Sequence, residues 1–181
     1  ENGAGKSTLM GIICGRLQPE EGRVRRNGND VRFATPREAK SHGIAIAPQE
    51  LNVMPMLTVA ENIAIDSQQR SWFGISWKKT RAFAEQFLHE IDEDIDPGVP
   101  VGELSAAHQQ LVQIARATAS RADVLIFDEP TAMLTDREAE KLFVFIERFK
   151  KRGGSVLYVS HRLDEILKLS DNISVLRDGG L

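Results

Sequence analysis

Cysteine occurs once in the 181 residues, at Cys14, which excludes an internal disulfide framework and suits a reducing compartment. Long apolar runs are also missing. Leu9–Cys14 and Gly43–Pro48 are among the longest, and a membrane span needs about 20 residues. There is no excess of basic charge: 23 Lys and Arg stand against 26 Asp and Glu, giving a net charge of −3 and a pI near 5.9. That balance argues against a nucleic-acid binder held by a basic face. Sustained heptads, internal repeats and low-complexity tracts are absent, and aromatics make up only 6%. No initiator Met, charged n-region or signal-like apolar block opens the chain. It begins inside a motif and closes on Gly179-Gly180-Leu181, so it reads as a fragment.

What is present is an ordinary globular composition, 41% apolar and 27% charged, long enough to bury one core. Lys6 to Gly15 is a short helix closed by glycine, and Gly22 to Phe33 alternates around an Asn27-Gly28 hairpin turn. Pro36 to His42 is a helix behind the N-cap Thr35, and Ile44 to Ala47 a buried strand. From Thr58 to Ser120 the helical period dominates. Thr58 and Glu61 form a capping box for the first helix. Phe83, Phe87 and Ile91 mark one face of a second, and Leu111, Ile114, Ala115 and Thr118 one face of a third.

Strands then alternate with helices: Val124–Asp128, Asp136–Arg152, Val156–Ser160, Leu163–Leu169 and Ile173–Leu176. Apolar strands alternating with helices predict a parallel sheet covered on both faces. The expected fold is an α/β core of residues 1–57 and 116–181, interrupted by a helical subdomain over 58–115. Trp72, Phe73 and Trp77 are expected in the core of that subdomain.

The opening ENGAGKST matches the phosphate-binding P-loop G-x-x-x-x-G-K-[ST] with its first glycine one place before residue 1. The alternative is a glycine-rich turn before a surface helix. As a P-loop, Gly3 and Gly5 let the backbone aim its N–H groups at phosphate where a helix begins. Lys6 then reaches the β- and γ-phosphates, and the Ser7 hydroxyl is offered to Mg²⁺. VLIFDEP, residues 124–130, is an apolar strand ending in a carboxylate, the Walker B arrangement, with Asp128 as the metal carboxylate. Glu129 sits where it can orient or deprotonate an attacking water. Gln49 in IAPQE and His161 in YVSHR each follow an apolar strand. Gln49 either coordinates Mg²⁺ or holds the water, and the His161 imidazole meets the γ-phosphate. Three strands each delivering a polar residue to one sheet edge is a far more specific pattern than any of them alone. Ser105, in LSAAHQQ, precedes a helix and is a natural N-cap.

In the order ENGAGKST, APQE, LSAAHQQ, LIFDEPTA and SH, the chain resembles the ATP-binding subunit of an ABC transporter over essentially its whole length. The resemblance implies an N-terminally truncated P-loop NTPase fold, a parallel-sheet core with an inserted α-helical subdomain ending in the signature motif. It implies ATP and Mg²⁺ as cofactors. Asn2, Gly3, Ala4, Gly5, Lys6, Ser7 and Thr8 contact ATP; Ser7, Gln49 and Asp128 hold the metal; Glu129, His161 and Gln49 are catalytic. Ser105, Ala106, Ala107 and His108 are the signature that meets ATP bound by a second ATP-binding half, in the same polypeptide or a homologous subunit. QELNVMPMLTVAENI, DEPTAMLTDREAEKLF and SVLRDGG are similar to bacterial sugar importers of the ribose, galactose and xylose type, whose subunits carry two ATPase halves. Import then involves membrane permease subunits and, indirectly, a periplasmic sugar-binding protein. It places the chain peripherally on the cytoplasmic face of the bacterial inner membrane, with no nucleic acid expected.

Two departures stand out. Alanine occupies both glycine positions of the family's LSGGQ, and Thr135 stands where many relatives have an aspartate. If the signature backbone must approach phosphate closely or adopt positive φ, a Cβ obstructs it. Residues 52–57, NVMPML, either receive a helix of the membrane partner or turn both methionines inward. Two other classes stay open: a ribosome-associated ABC factor, and an ATP-sensing half without turnover. A GTPase would need Asn-Lys-x-Asp, which is absent, and a chromosome-maintenance ATPase a long coiled coil between Lys6 and Ser105.

Overall fold

The structure, a computed structural model, describes residues 4–66, 70–71, 74–92 and 94–180. Helix α1 (Lys6–Ile13) starts from Gly5 at φ 96°, in the left-handed region that glycine tolerates. It stops at Cys14 and Gly15; a Cβ on Gly15 would lie 2.7 Å from the Thr35 carbonyl oxygen. Strands β1 (Val24–Arg26) and β2 (Asn29–Val31) form an antiparallel hairpin. Its turn residues Asn27 and Gly28 both have positive φ, 51° and 80°, the geometry Asn-Gly favours. Next come α2 (Pro36–Ser41), capped by the Thr35 side chain, and β3 (Ile44–Ala47).

Helix α3 (Val59–Ala64) opens with the expected capping box, in which Thr58 and Glu61 satisfy each other's backbone N–H. Two short strands, β4 (Arg70–Ser71) and β5 (Gly74–Ile75), pair antiparallel before α4 (Trp77–Ile91). A 3₁₀ turn over Val101–Glu103 leads into α5 (Ala106–Thr118). Then follow β6 (Val124–Asp128), α6 (Asp136–Lys151), β7 (Ser155–Val159) and α7 (Leu163–Leu169).

The central sheet is parallel, in the order β3-β6-β7. Its register sets Ala47 beside Phe127 and Asp128 beside Val159, so all three strands end level. Alternation along β6 divides the core. Leu125 and Phe127 join the large cluster made with α3, α4, α5 and α6, while Ile126 joins Met10, Cys14, Phe33, Ile44 and Val159 beneath α1. Each face of the sheet is therefore covered, as its apolar strands required.

Three expectations change. Residues 173–176 make no strand. A groove of about 600 Å³ separates them from the β7 edge, and without a neighbour an extended segment has no ladder to join. Trp77 is 63% exposed at the outer start of α4, not in a core, whereas Trp72 and Phe73 lie outside the described residues. The inward face of α4 is Ala84, Leu88 and Ile91. Phe83 and Phe87 sit at its margin with ring centroids 5.0 Å apart.

Cys14 is buried between α1 and the sheet. Burial pushes its thiol up to about 11, with Asp128 adding to the effect and Arg16 opposing it. The expected outcome is protection: at pH 8, mapping of Cys14 after treatment with a thiol reagent should show labelling roughly a hundredfold slower in the native protein than in denaturant. Equal rates would mean that α1 is not docked on the sheet.

Candidate functional site

The level strand ends carry the polar residues. Gln49 lies just past β3, Asp128 closes β6 with Glu129 next to it, and His161 follows β7. Glu129 adopts φ 48°, unusual outside glycine, and its N–H donates to the Val159 carbonyl at 2.9 Å. Strain of this kind, about 1–3 kcal/mol, persists only where surroundings over-determine it, as functional sites do. The Glu129 side chain is only 14% exposed. Gln49 Nε2 donates to its Oε2 at 3.2 Å, and His161 Nδ1 lies 3.3 Å from its Oε1. The three residues expected at one edge thus meet on one carboxylate.

Lys6 and Ser7 open α1, with Ala4 buried and Ser7 and Thr8 exposed in the first turn. The Ala4 carbonyl accepts from Gly179 N–H at 3.3 Å, and a Cβ on Gly5 would lie 3.2 Å from Leu176 Cδ2. The loop is therefore braced by the segment that ends the chain. Asn2 and Gly3 lie outside the described residues. Asp128 has its carboxyl pushed above the usual carboxylate range, first by burial and then by neighbouring Glu129, with Lys6 and Arg16 acting against both.

The donor set suits Mg²⁺. Ser7, Gln49 and Asp128 offer oxygen ligands, and a divalent cation relieves the like-charge pair Asp128–Glu129. Among the described residues no group of three or more His, Cys, Asp or Glu could cage a metal by itself.

Ser105 does what its N-cap position requires: its Oγ accepts from His108 N–H at 3.2 Å and starts α5. Ala106 and Ala107 are helical, not among the positive-φ residues. The alanines therefore cost no backbone strain in this structure, and only close approach of a ligand would sense their Cβ atoms. His108 Nε2 is 3.7 Å from Glu138 Oε1. Glu138 in turn closes a capping box with Thr135 at the start of α6. An aspartate at 135 would cap equally well, so the threonine is neutral for the helix.

Glu165 was not anticipated. It is 2% exposed, yet its carboxylate accepts from Thr131 Oγ1 at 2.8 Å, Tyr158 OH at 2.8 Å and Ser160 Oγ at 3.0 Å, and pairs with Arg162 at 3.0 Å. It ties the loop after Glu129 to both residues flanking His161. Burial and this carboxylate together raise the Tyr158 phenol. In the sequence, an acidic residue in a first helical turn looks like an ordinary dipole partner and gives no sign of this.

A family model described as ABC transporter matches residues 1–132. The chain is 48% identical to a ribose import ATP-binding protein of Rubrobacter xylanophilus, over all of this chain and 35% of that protein. It is 43% identical to one from Bacillus subtilis, over 99% of this chain and 36% of that one. The chain therefore spans about a third of the length of the curated relatives it matches. Among solved structures, a nucleotide-free ATP-binding cassette of an ABC transporter aligns with TM-score 0.83 at 28% identity, covering 99% of this chain and 75% of its own. A bacterial ABC transporter cassette solved as a dimer aligns with the same TM-score and identity, covering 99% of this chain and 79% of its own.

Glu165→Gln keeps the volume of the side chain but removes its charge and half of its accepting capacity. Thermal or denaturant unfolding should show a loss of about 1–3 kcal/mol, the range for orphaning buried partners. Unchanged stability would show that the network carries no weight.

Proposed function

This chain belongs to the ABC transporter family, and on that premise we propose that it binds and hydrolyses ATP to drive import of a sugar through a membrane permease. The observation that carries the reading is the meeting of Gln49 and His161 on the Glu129 carboxylate at the level end of the sheet. A carboxylate so held is a general base for water, needing correct position before correct basicity. The positive charge of Lys6 lies within reach of Asp128, where transferred phosphate charge would be neutralised. Residues 2–8 cradle the phosphates. Ser7, Asp128 and Gln49 would hold Mg²⁺, which would supply positive charge to offset that of the phosphates. In this reading His161, 66% exposed and 3.3 Å from Glu129, meets the γ-phosphate.

The segment Ser105–His108 faces a second site in this reading, contacting ATP held by another ATP-binding half. The cassette solved as a dimer and relatives nearly three times as long as this chain support that arrangement. Residues 58–115 act as the helical subdomain against a core of 1–57 and 116–181. It is tied to α6 through the pairs Lys141–Asp92 at 2.6 Å and Arg152–Glu90 at 2.7 Å. Met54 and Met56, 41% and 89% exposed, point away from the interior, which removes the alternative that both are core residues. They offer an adaptable surface to a helix of the permease. The partners are then permease subunits and, through them, a periplasmic sugar-binding protein, with the chain peripheral on the cytoplasmic face of the bacterial inner membrane. Sugar import is favoured because the relatives are named for ribose, galactose and methyl galactoside import.

In the full-length protein assembled with its permease, Glu129→Gln should lower ATP turnover by roughly 10²–10³-fold while nucleotide binding persists. Phosphate release measured beside equilibrium binding checks this, and undiminished turnover would remove Glu129 as the base. Restoring glycine at Ala106 and Ala107 together should raise turnover about twofold or more, because two Cβ atoms leave the approach to phosphate. Flat or falling activity would mean that the alanines do not limit the signature.

A further inference from the structure

Residues 48–57 leave β3 and run to α3 with little regular structure, yet Gln49 must stand at a defined height against Glu129. The backbone on both sides of Gln49 is held by one buried side chain. Gln113, on α5 and 4% exposed, donates from Nε2 to the Pro48 carbonyl at 2.7 Å, and its Oε1 accepts from the Asn52 N–H at 2.5 Å. One turn further along α5, Arg116 donates to the Asn52 carbonyl at 3.1 Å. Both backbone polar groups of Asn52 are therefore fixed to α5, as is the carbonyl immediately before Gln49. Arg116 is steadied in turn by Asp66, 3.5 Å away, which also pairs with Lys40 of α2 at 2.6 Å.

We propose that Gln113 is a positioning residue for hydrolysis, setting Gln49 against Glu129 and the metal by clamping the backbone at Pro48 and Asn52. The proposal rests on the ATPase reading above. Only an amide fits this place. A carboxylate would turn an oxygen toward the Pro48 carbonyl, and an ammonium has nothing to accept the Asn52 N–H. Without the clamp the loop still reaches from β3 to α3, but Gln49 spreads over a range of heights. Misplacement by about 1 Å can lower a rate by up to about a hundredfold without touching the reacting groups.

The test uses the full-length protein assembled with its permease and four variants: Gln113→Met, Gln113→Asn, Gln49→Ala, and Gln113→Met combined with Gln49→Ala. Gln113→Met should lower kcat about tenfold, leave ATP binding within about twofold, and raise the Mg²⁺ concentration needed for half-maximal rate. Gln113→Asn keeps a neutral donor and acceptor one methylene short of their partners and should fall between wild type and Gln113→Met. The combined variant should be no slower than Gln49→Ala alone, because Gln113 acts through Gln49. Additive losses, an unchanged kcat, or a loss of ATP affinity equal to the loss of kcat would overturn the proposal. If Gln113→Met does not accumulate as folded protein, Gln113→Asn with and without Gln49→Ala decides by the same criterion. A wild-type assembly without ATPase activity would fail the reading of the site itself and the positioning role with it. That failure is distinct from an active wild type whose variants add.

Discussion

Everything at the site depends on three parallel strands ending level. Phe127 pairs with Ala47 on one side and Tyr158 on the other, so β3, β6 and β7 release the chain at the same edge. A parallel ladder slipped by one residue would turn each following side chain to the opposite face, and Gln49 or His161 would miss Glu129. The register is set well below the site by apolar pairing of Leu125, Ile126 and Phe127, all fully buried. The ladder continues one residue past β6, through Glu129 N–H to Val159 O, and that bond holds Glu129 at its strained φ. The geometry at this edge is thus an extension of core packing, not a property of loops.

Helix α5 brings the second constraint. Gln110, Leu111, Val112, Gln113, Ile114, Ala115 and Ala117 are all buried, so the helix is enclosed on nearly every side by β3, α3 and α4. A helix so enclosed moves as a rigid rod or not at all. Its first residues follow the Ser105 cap, and its middle grips the backbone beside Gln49. Whatever Ser105–His108 meet is therefore mechanically joined to Gln49 at the end of the sheet. The contact of His108 with Glu138 adds a second, weaker tie, from the signature to the start of α6.

How much of this was legible depended on whether the signal was local. The Thr58–Glu61 capping box, the Asn27-Gly28 turn and apolar runs ending in a polar residue are written in nearby positions, and the structure follows them closely. Ile173–Leu176 failed because being a strand depends on a neighbour, which an apolar run does not reveal. Trp77 failed for a related reason: its size suggested a core, but it begins α4 on the solvent side. Gln113 and Glu165 were invisible because their partners come from afar. Gln113 meets Asn52 across 61 positions, and Glu165 meets Thr131 across 34. A lone amide among Val112 and Ile114 was the available sign, since a polar side chain on a buried face must find partners.

Neutral amides recur where this loop is held, and the reason is electrostatic. Asn62, fully buried in α3, donates to the carbonyls of Met54, Leu57 and Thr58 and accepts from Met54 N–H at 2.8 Å. Gln113 does the same at Pro48 and Asn52. A charged side chain in either place would carry a desolvation penalty of several kcal/mol without a partner of opposite sign. An amide gives a donor and an acceptor at far smaller cost. Because both clamps grip backbone, they leave three side chains of this loop free for other work: Gln49 toward Glu129, Met54 and Met56 toward solvent. A push on Met56 would reach Gln49 and the sheet edge through clamped main chain, and the stiffness of that path lies in two buried amides.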